Sequence, residues 1–104
     1  MQTIYLKKFG KVLVSRSAGL EAFRAIRPTL NKREPMQIDF DDVLAVLPSW
    51  FDEFLTNLAG YAESDVVLLP TKNASVLAAL PVLVTSRQDK VAKIIQRFLD
   101  ENKK

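Results

Sequence analysis

Ser49, Asp52 and Glu53 sit together in the stretch PSWFDEFL, and Asp39, Asp41 and Asp42 crowd the chain shortly before it. Clustered carboxylates act as general acids or bases, or hold a hard cation such as Mg2+ through water. A serine attacks as a nucleophile only when a base activates it. The chain has no histidine and no cysteine. That removes His-dependent triads, thiol nucleophiles, imidazole or thiolate metal sites and a histidine pH switch. Gly10, Gly19 and Gly60 lie far apart, so no glycine loop can cradle a phosphate. Ser49 has no base beside it in sequence, and the three aspartates lack a second acidic strand end to complete a cation site. They read instead as a solvated loop that favours the start of the next helix. The expectation is a non-catalytic protein with no metal and no cofactor.

Two side chains at the start of this stretch have more than one use. A serine before an apolar-periodic run, with an acid three residues on, has the pattern of a capping box, its oxygen accepting from the Asp52 amide. The free amides of a helix start also attract a phosphate, while Asp52 and Glu53 would repel one. Trp50 precedes an apolar row at Phe51, Phe54, Leu55 and Leu58. It is therefore expected at the edge of the core, half exposed, where tryptophan anchors interfaces; the alternative is an indole closing the core. With Asp52, Glu53 and Asn57 one turn along, Trp50 would form an aromatic-acidic strip suited to a basic partner.

The elements that must position these groups follow from periodicity. A length of 104 residues suggests one domain, residues 1–104. TIYLKK and KVLVS flank Phe9-Gly10 and predict an N-terminal β-hairpin. Leu20, Phe23, Ile26 and Leu30 mark a helix from Ser17 that bends or ends at Pro28. MQIDF predicts a buried strand, and DVVLL, closed by Pro70, a central parallel strand covered on both faces. Asn73 is placed to cap a helix carrying Val76, Leu77 and Leu80, and PVLVT after it reads either as more helix or as an edge strand. Ser86 and Asp89 announce a terminal helix with Val91, Ile94, Ile95 and Phe98 on one face. A hairpin followed by alternating strands and helices implies an α/β fold, a mixed sheet with helices packed against it.

Charge is uneven along the chain. Residues 1–34 hold eight bases and two acids, residues 35–70 seven acids and no base, and residues 71–104 seven bases and three acids. The pattern either faces a partner or, the reading favoured here, is neutralised when folding brings the thirds together. The longest uncharged stretch, Asn73 to Ser86, is shorter than the roughly 20 residues a membrane crossing needs. The first residues hold charges and no apolar run of signal-peptide length, so a cytoplasmic location without membrane insertion is expected.

One family resemblance centres on the opening stretch. Ile38-Asp39-Phe40, Val43, then Ser49-Trp50-Phe51-Asp52-Glu53-Phe54-Leu55 resembles the STAS-like domains of unknown function. FGKVLVSR, Phe9 to Arg16, is similar to that family's other recurrent feature, an arginine just after the second strand. The resemblance covers residues 4–70. It implies a fold related to the STAS anti-sigma-factor antagonists, which bind a kinase-like ATPase and are switched by phosphorylation of a serine at the start of the second helix. Ser49 falls at that position, preceded here by Leu47-Pro48 and followed by Trp50. The resulting expectation is a regulatory protein-interaction module that docks through Trp50, Asp52, Glu53 and Asn57, with Ser49 as a phosphorylation site. The alternative is a nucleic-acid-binding or nucleic-acid-associated regulator using Lys7, Lys8, Lys11, Arg16, Arg24, Arg27, Lys32 and Arg33, with Phe9 the one nearby aromatic for base stacking.

Overall fold

The computed structural model of the chain describes residues 1–85 and 87–102. In chain order they form β1 (Gln2–Tyr5), β2 (Val12–Leu13), α1 (Arg16–Ile26), β3 (Met36–Asp39), β4 (Ala45–Val46), α2 (Pro48–Tyr61), β5 (Val66–Leu68), α3 (Ala74–Val84) and α4 (Lys90–Asn102). The α/β class is as expected, but the pairing differs. The reversal predicted at Phe9-Gly10 does not occur. A two-residue hairpin needs positive φ at both central residues or glycine at the first of them, and here phenylalanine holds the first place. Phe9 instead closes a 3-10 turn, Leu6–Phe9, and Gly10 at φ 124° and ψ 176° carries the chain onward. β1 pairs with β3 and β2 with β4, both parallel. Residues 2–13 and 36–46 thus run side by side, each broken once, and no antiparallel pair forms among the described residues. The sheet is therefore parallel rather than mixed.

The three-stranded sheet has the order β1-β3-β5, so β3 is central and β5, expected in the middle, lies at an edge. Register places Ile4, Ile38 and Leu68 in one row and Gln2, Met36 and Val66 in the next. Ile4, Met36, Ile38, Val66 and Leu68 are buried on this face, whereas Thr3, Tyr5, Gln37, Asp39 and Val67 opposite are at most partly covered. The apolar run of β5 therefore serves one buried face, not two. The buried row continues into Phe40, Phe51, Phe54, Leu58, Leu80, Ile95 and Phe98 as one hydrophobic cluster.

Helix limits follow local chemistry. α1 starts one residue earlier than predicted, because the Ser15 hydroxyl accepts from the Ala18 amide at 3.2 Å and caps it. It stops at Ile26, and Pro28, which lacks an N–H to continue the ladder, sits in a following 3-10 turn. Asn73 caps α3 by accepting from the Ser75 and Val76 amides at 2.9 and 3.1 Å. α3 runs on through Pro81 to Val84, which settles PVLVT as helix rather than strand. Asp89 accepts from the Ala92 amide at 3.2 Å ahead of α4; Ser86, the first half of that predicted start signal, lies outside the described residues.

α1 and α2 meet backbone to backbone at Gly19. A β-carbon on Gly19 would lie 3.1 Å from the Trp50 carbonyl carbon and closer still to its oxygen, whereas one on Gly60 would meet nothing. Gly19→Ala is expected to destabilise the protein by about 1–3 kcal/mol through overpacking against backbone. Gly60→Ala, inside the same helix α2, should instead raise stability by roughly 0.5–1 kcal/mol. Urea denaturation of both variants checks this; equal effects would mean that the helices do not touch at Gly19.

Candidate functional site

The polar groups of the motif gather where the starts of α1 and α2 approach each other. Asp52 lies on the outer side of α2, about one-fifth exposed. Its Oδ2 accepts from Arg16 Nη1 at 2.8 Å, and its Oδ1 accepts from Arg87 Nη1. Arg16 also pairs with Glu53 at 3.6 Å. Asn57 donates to Glu53 Oε2 at 2.7 Å. Arg87, on the segment between α3 and α4, donates further to Thr56 Oγ1 at 3.3 Å and Asp89 Oδ2 at 2.7 Å. Asp52 is thus a two-sided clasp joining α1, α2 and the α3–α4 connection. Arg16 and the Asp52-Glu53 pair, far apart in sequence, make direct contact.

The electrostatics match that geometry. The hydrogen bond to Asp52 raises the Arg16 pKa above its usual value against a smaller desolvation effect. Arg87 is raised too, first by its bond to Asp89 and then by the Asp52 charge. Asp89 is held below its ordinary value of 3.8, chiefly by the bond from Arg87. A carboxylate saturated by two guanidinium groups serves as a brace rather than as a free base.

Two expectations for this stretch need correction. Trp50 is 2% exposed and cannot anchor a partner. It stacks on Phe54 at 4.9 Å and 16°, and Phe9 leans on both rings at 6.0 and 5.7 Å. Trp50, Phe54 and Leu58 are spaced by four, a second apolar row beside Phe51 and Leu55, so helix geometry turns the indole inward. Ser49 is not the cap: α2 begins at Pro48 and Leu47 takes the cap position, with no side-chain cap bond among the described residues. Proline suits the first helical position because its φ is preset and its missing N–H would be unsatisfied there anyway. Ser49 is left within the first turn, partly exposed, one turn before Asp52 and Glu53.

Elsewhere some of the charges pair between the basic first third and the acidic middle. Lys7 meets Asp42 at 3.4 Å, and Lys32 and Arg33 meet Glu63 at 3.1 and 3.8 Å. Asp39 turns to a local partner, accepting from the Asp41 amide at 2.8 Å. Among the described residues no three metal-binding side chains converge, and no helix is long and apolar enough to cross a membrane. The spacing of α2 did not announce Arg87 or Thr56; only the basic final third hinted that a cation would come from there.

The fold and site define a small α/β domain with an ion-pair clasp at the start of its second helix. Compared with known protein families, curated proteins and solved structures, the chain matches none.

Asp52→Ala should cost about 1–2 kcal/mol of stability, since it strips both arginines of their shared partner. Asp89 adds a pH signature. Its lowered folded pKa means that its contribution is complete above 3.8 and is lost as pH falls through the folded value. Urea midpoints of Asp89→Asn should therefore lie below wild type at neutral pH and converge with it towards acid. Parallel curves would show that the Arg87 bond does not form.

Proposed function

We propose that the chain is a small, cytoplasmic, non-catalytic regulatory module that docks on a protein partner through the polar side of α2. Asp52, Glu53 and Asn57 supply the contact, and the buried Trp50 holds that helix start in place. One observation carries this reading: Arg16 reaches Asp52 at 2.8 Å and Glu53 at 3.6 Å, bringing both pieces of the STAS-like resemblance into one partly exposed cluster. On that resemblance the partner is a kinase-like ATPase and Ser49 is the phosphorylated residue. The physics of such a switch is local. A phosphate of about −2 charge on Ser49 would stand one turn from Asp52 and Glu53 and compete with them for Arg16. It would loosen the clasp and place repulsive charge on the docking face.

The nucleic-acid alternative is weakened by the arrangement of half of the basic residues named for it. Arg16, Lys7, Lys32 and Arg33 are paired with acids, and Phe9 is packed against Trp50 and Phe54 instead of being offered to a base.

Affinity capture followed by identification of the bound proteins tests the module. Wild type and Lys93→Glu, a variant on the exposed side of α4, should recover the same kinase-like ATPase, while Glu53→Lys and Ser49→Glu should lose most of it. Equal recovery by all four proteins rejects the α2 face. Intact mass after incubation with ATP and that partner should show one phosphate mapped to Ser49; an unmodified chain, or a phosphate on another residue, rejects the switch.

A further inference from the structure

The β2–β4 pair has two outer edges, and the fold treats them differently. On β4, Val46 directs its N–H and C=O away from β2, and the Ser75 hydroxyl satisfies both, accepting at 2.8 Å and donating at 3.0 Å. Asn73 donates from its side-chain amide to the Val43 carbonyl at 2.7 Å. The first turn of α3 thereby seals this edge. On β2 the ladder runs through Lys11 and Leu13, whose carbonyls accept from the Ala45 and Leu47 amides at 3.1 and 2.9 Å. Alternation then directs the N–H and C=O of Val12 and Val14 outward, where they have no partner among the described residues. Their side chains are open as well: Val12 is 58% exposed and Val14 42%, and Leu44 and Leu47, which flank β4, are 69% and 45% exposed. An unpaired apolar edge is a template for another strand.

We infer that β2 receives an acidic, extended segment of a partner protein as an added strand. The charge around the edge selects this occupant. Residues 7–16 carry Lys7, Lys8, Lys11 and Arg16 and no acid. Lys7 and Arg16 are engaged by Asp42, Asp52 and Glu53. Lys8 and Lys11 are exposed and have no acidic partner among the described residues. Lys11 shares a shallow hollow with Lys7, Asp42, Val43 and Leu44 at the start of the pair; Asp42 is taken there by Lys7, which leaves Lys11 beside apolar surface. A second copy of the chain fits this edge poorly, because β2 against β2 would bring two basic segments together, and like charges across strands are destabilising. A nucleic acid would use the lysines and leave the outward amides and valines uncovered. A strand that alternates β-branched with acidic residues uses all of them. This surface is distinct from the polar side of α2 and does not depend on the proposal made for it.

Fluorescence polarisation with a short labelled peptide alternating valine with aspartate and glutamate tests the inference. The same peptide with lysine in place of the acids, and versions N-methylated along one edge or the other, serve as comparisons. The acidic peptide is expected to bind saturably and roughly tenfold more tightly than the lysine peptide. N-methylation of the edge that faces β2 should abolish binding, and N-methylation of the opposite edge should leave it. Val12→Pro removes an outward N–H that the β2–β4 ladder does not use, and should abolish binding with the fold kept, as judged by thermal melting. Lys8→Glu combined with Lys11→Glu leaves the backbone untouched and should reverse the preference towards the lysine peptide. Lys93→Glu, a charge reversal on the exposed side of α4, should leave the affinity unchanged, which separates this surface from a general effect of net charge. Equal binding of the acidic and lysine peptides, no binding of either, indifference to N-methylation, or sedimentation showing a dimer paired through β2 each overturns the inference.

Discussion

The backbone contact between α1 and the first turn of α2 governs the rest of the molecule. Gly19 lies against the Trp50 carbonyl with no room for a side chain, and that closeness sets three things together. It sends the Trp50 indole inward against Phe9 and Phe54. It sets Arg16, one turn before Gly19, beside Asp52, two residues past Trp50. It also brings the 3-10 turn of residues 6–9 onto the same aromatic cluster, which holds the β1–β2 segment in line beside β3–β4. Packing this dense makes the helix starts a rigid platform, and the ion pairs above it are held by that platform instead of having to create it.

Side-chain electrostatics then distribute the remaining work. The acidic middle of the chain is largely consumed internally: Asp52 by Arg16 and Arg87, Glu53 by Arg16, Glu63 by Lys32 and Arg33, and Asp42 by Lys7. Most of these pairs are exposed enough that each adds little stability by itself. Asp52 differs because it is mostly covered and joins three segments distant in sequence. Its value is geometric, since it ties the α3–α4 connection, through Arg87, to the same helix start that α1 approaches. The charges left over define what the surface offers, and Lys8 and Lys11 beside the open edge of β2 are the clearest remainder.

Much of this was legible in the residues, and the exceptions have physical causes. Pro28 ending α1, Asn73 capping α3, the buried alternation of Met36 and Ile38, and the apolar stripe of α4 are local rules that local sequence states directly. The errors arose where tertiary placement decides. Phe9-Gly10 resembles a hairpin only if the order of the two residues is ignored; the first of them must supply the unusual φ. DVVLL contains enough apolar residues to be covered on both faces, yet nothing in it states how many layers the fold has. Ser49 looks like a cap until Pro48 claims the first helical position. Trp50 looks peripheral when the stripe is started at Phe51, whereas the spacing of Trp50, Phe54 and Leu58 places it within the core. Arg87 could not be assigned to Asp52 from spacing, because their partnership depends on where α3 delivers the chain.

The two surfaces proposed for binding are joined by a constrained segment. Ser15 stands between Val14, which contributes to the β2 edge, and Arg16, which clasps Asp52. Its backbone is at φ 74° and ψ 146°, a region that costs a non-glycine residue about 1–3 kcal/mol. Neighbouring bonds hold it there: its hydroxyl accepts from the Ala18 amide at 3.2 Å, and its carbonyl accepts from the Gly19 amide at 3.3 Å. Those bonds attach the joint to α1, and through Gly19 to the start of α2. Relief of the strain requires either Val14 or Arg16 to move, and those residues carry the edge and the clasp. A ligand shifts a conformational equilibrium only by its differential affinity for the two states. A strand added to β2 would therefore act on the ion pair at Asp52 only to the extent that it favoured one position of Val14 over another, and Ser15 is the joint through which that preference would pass.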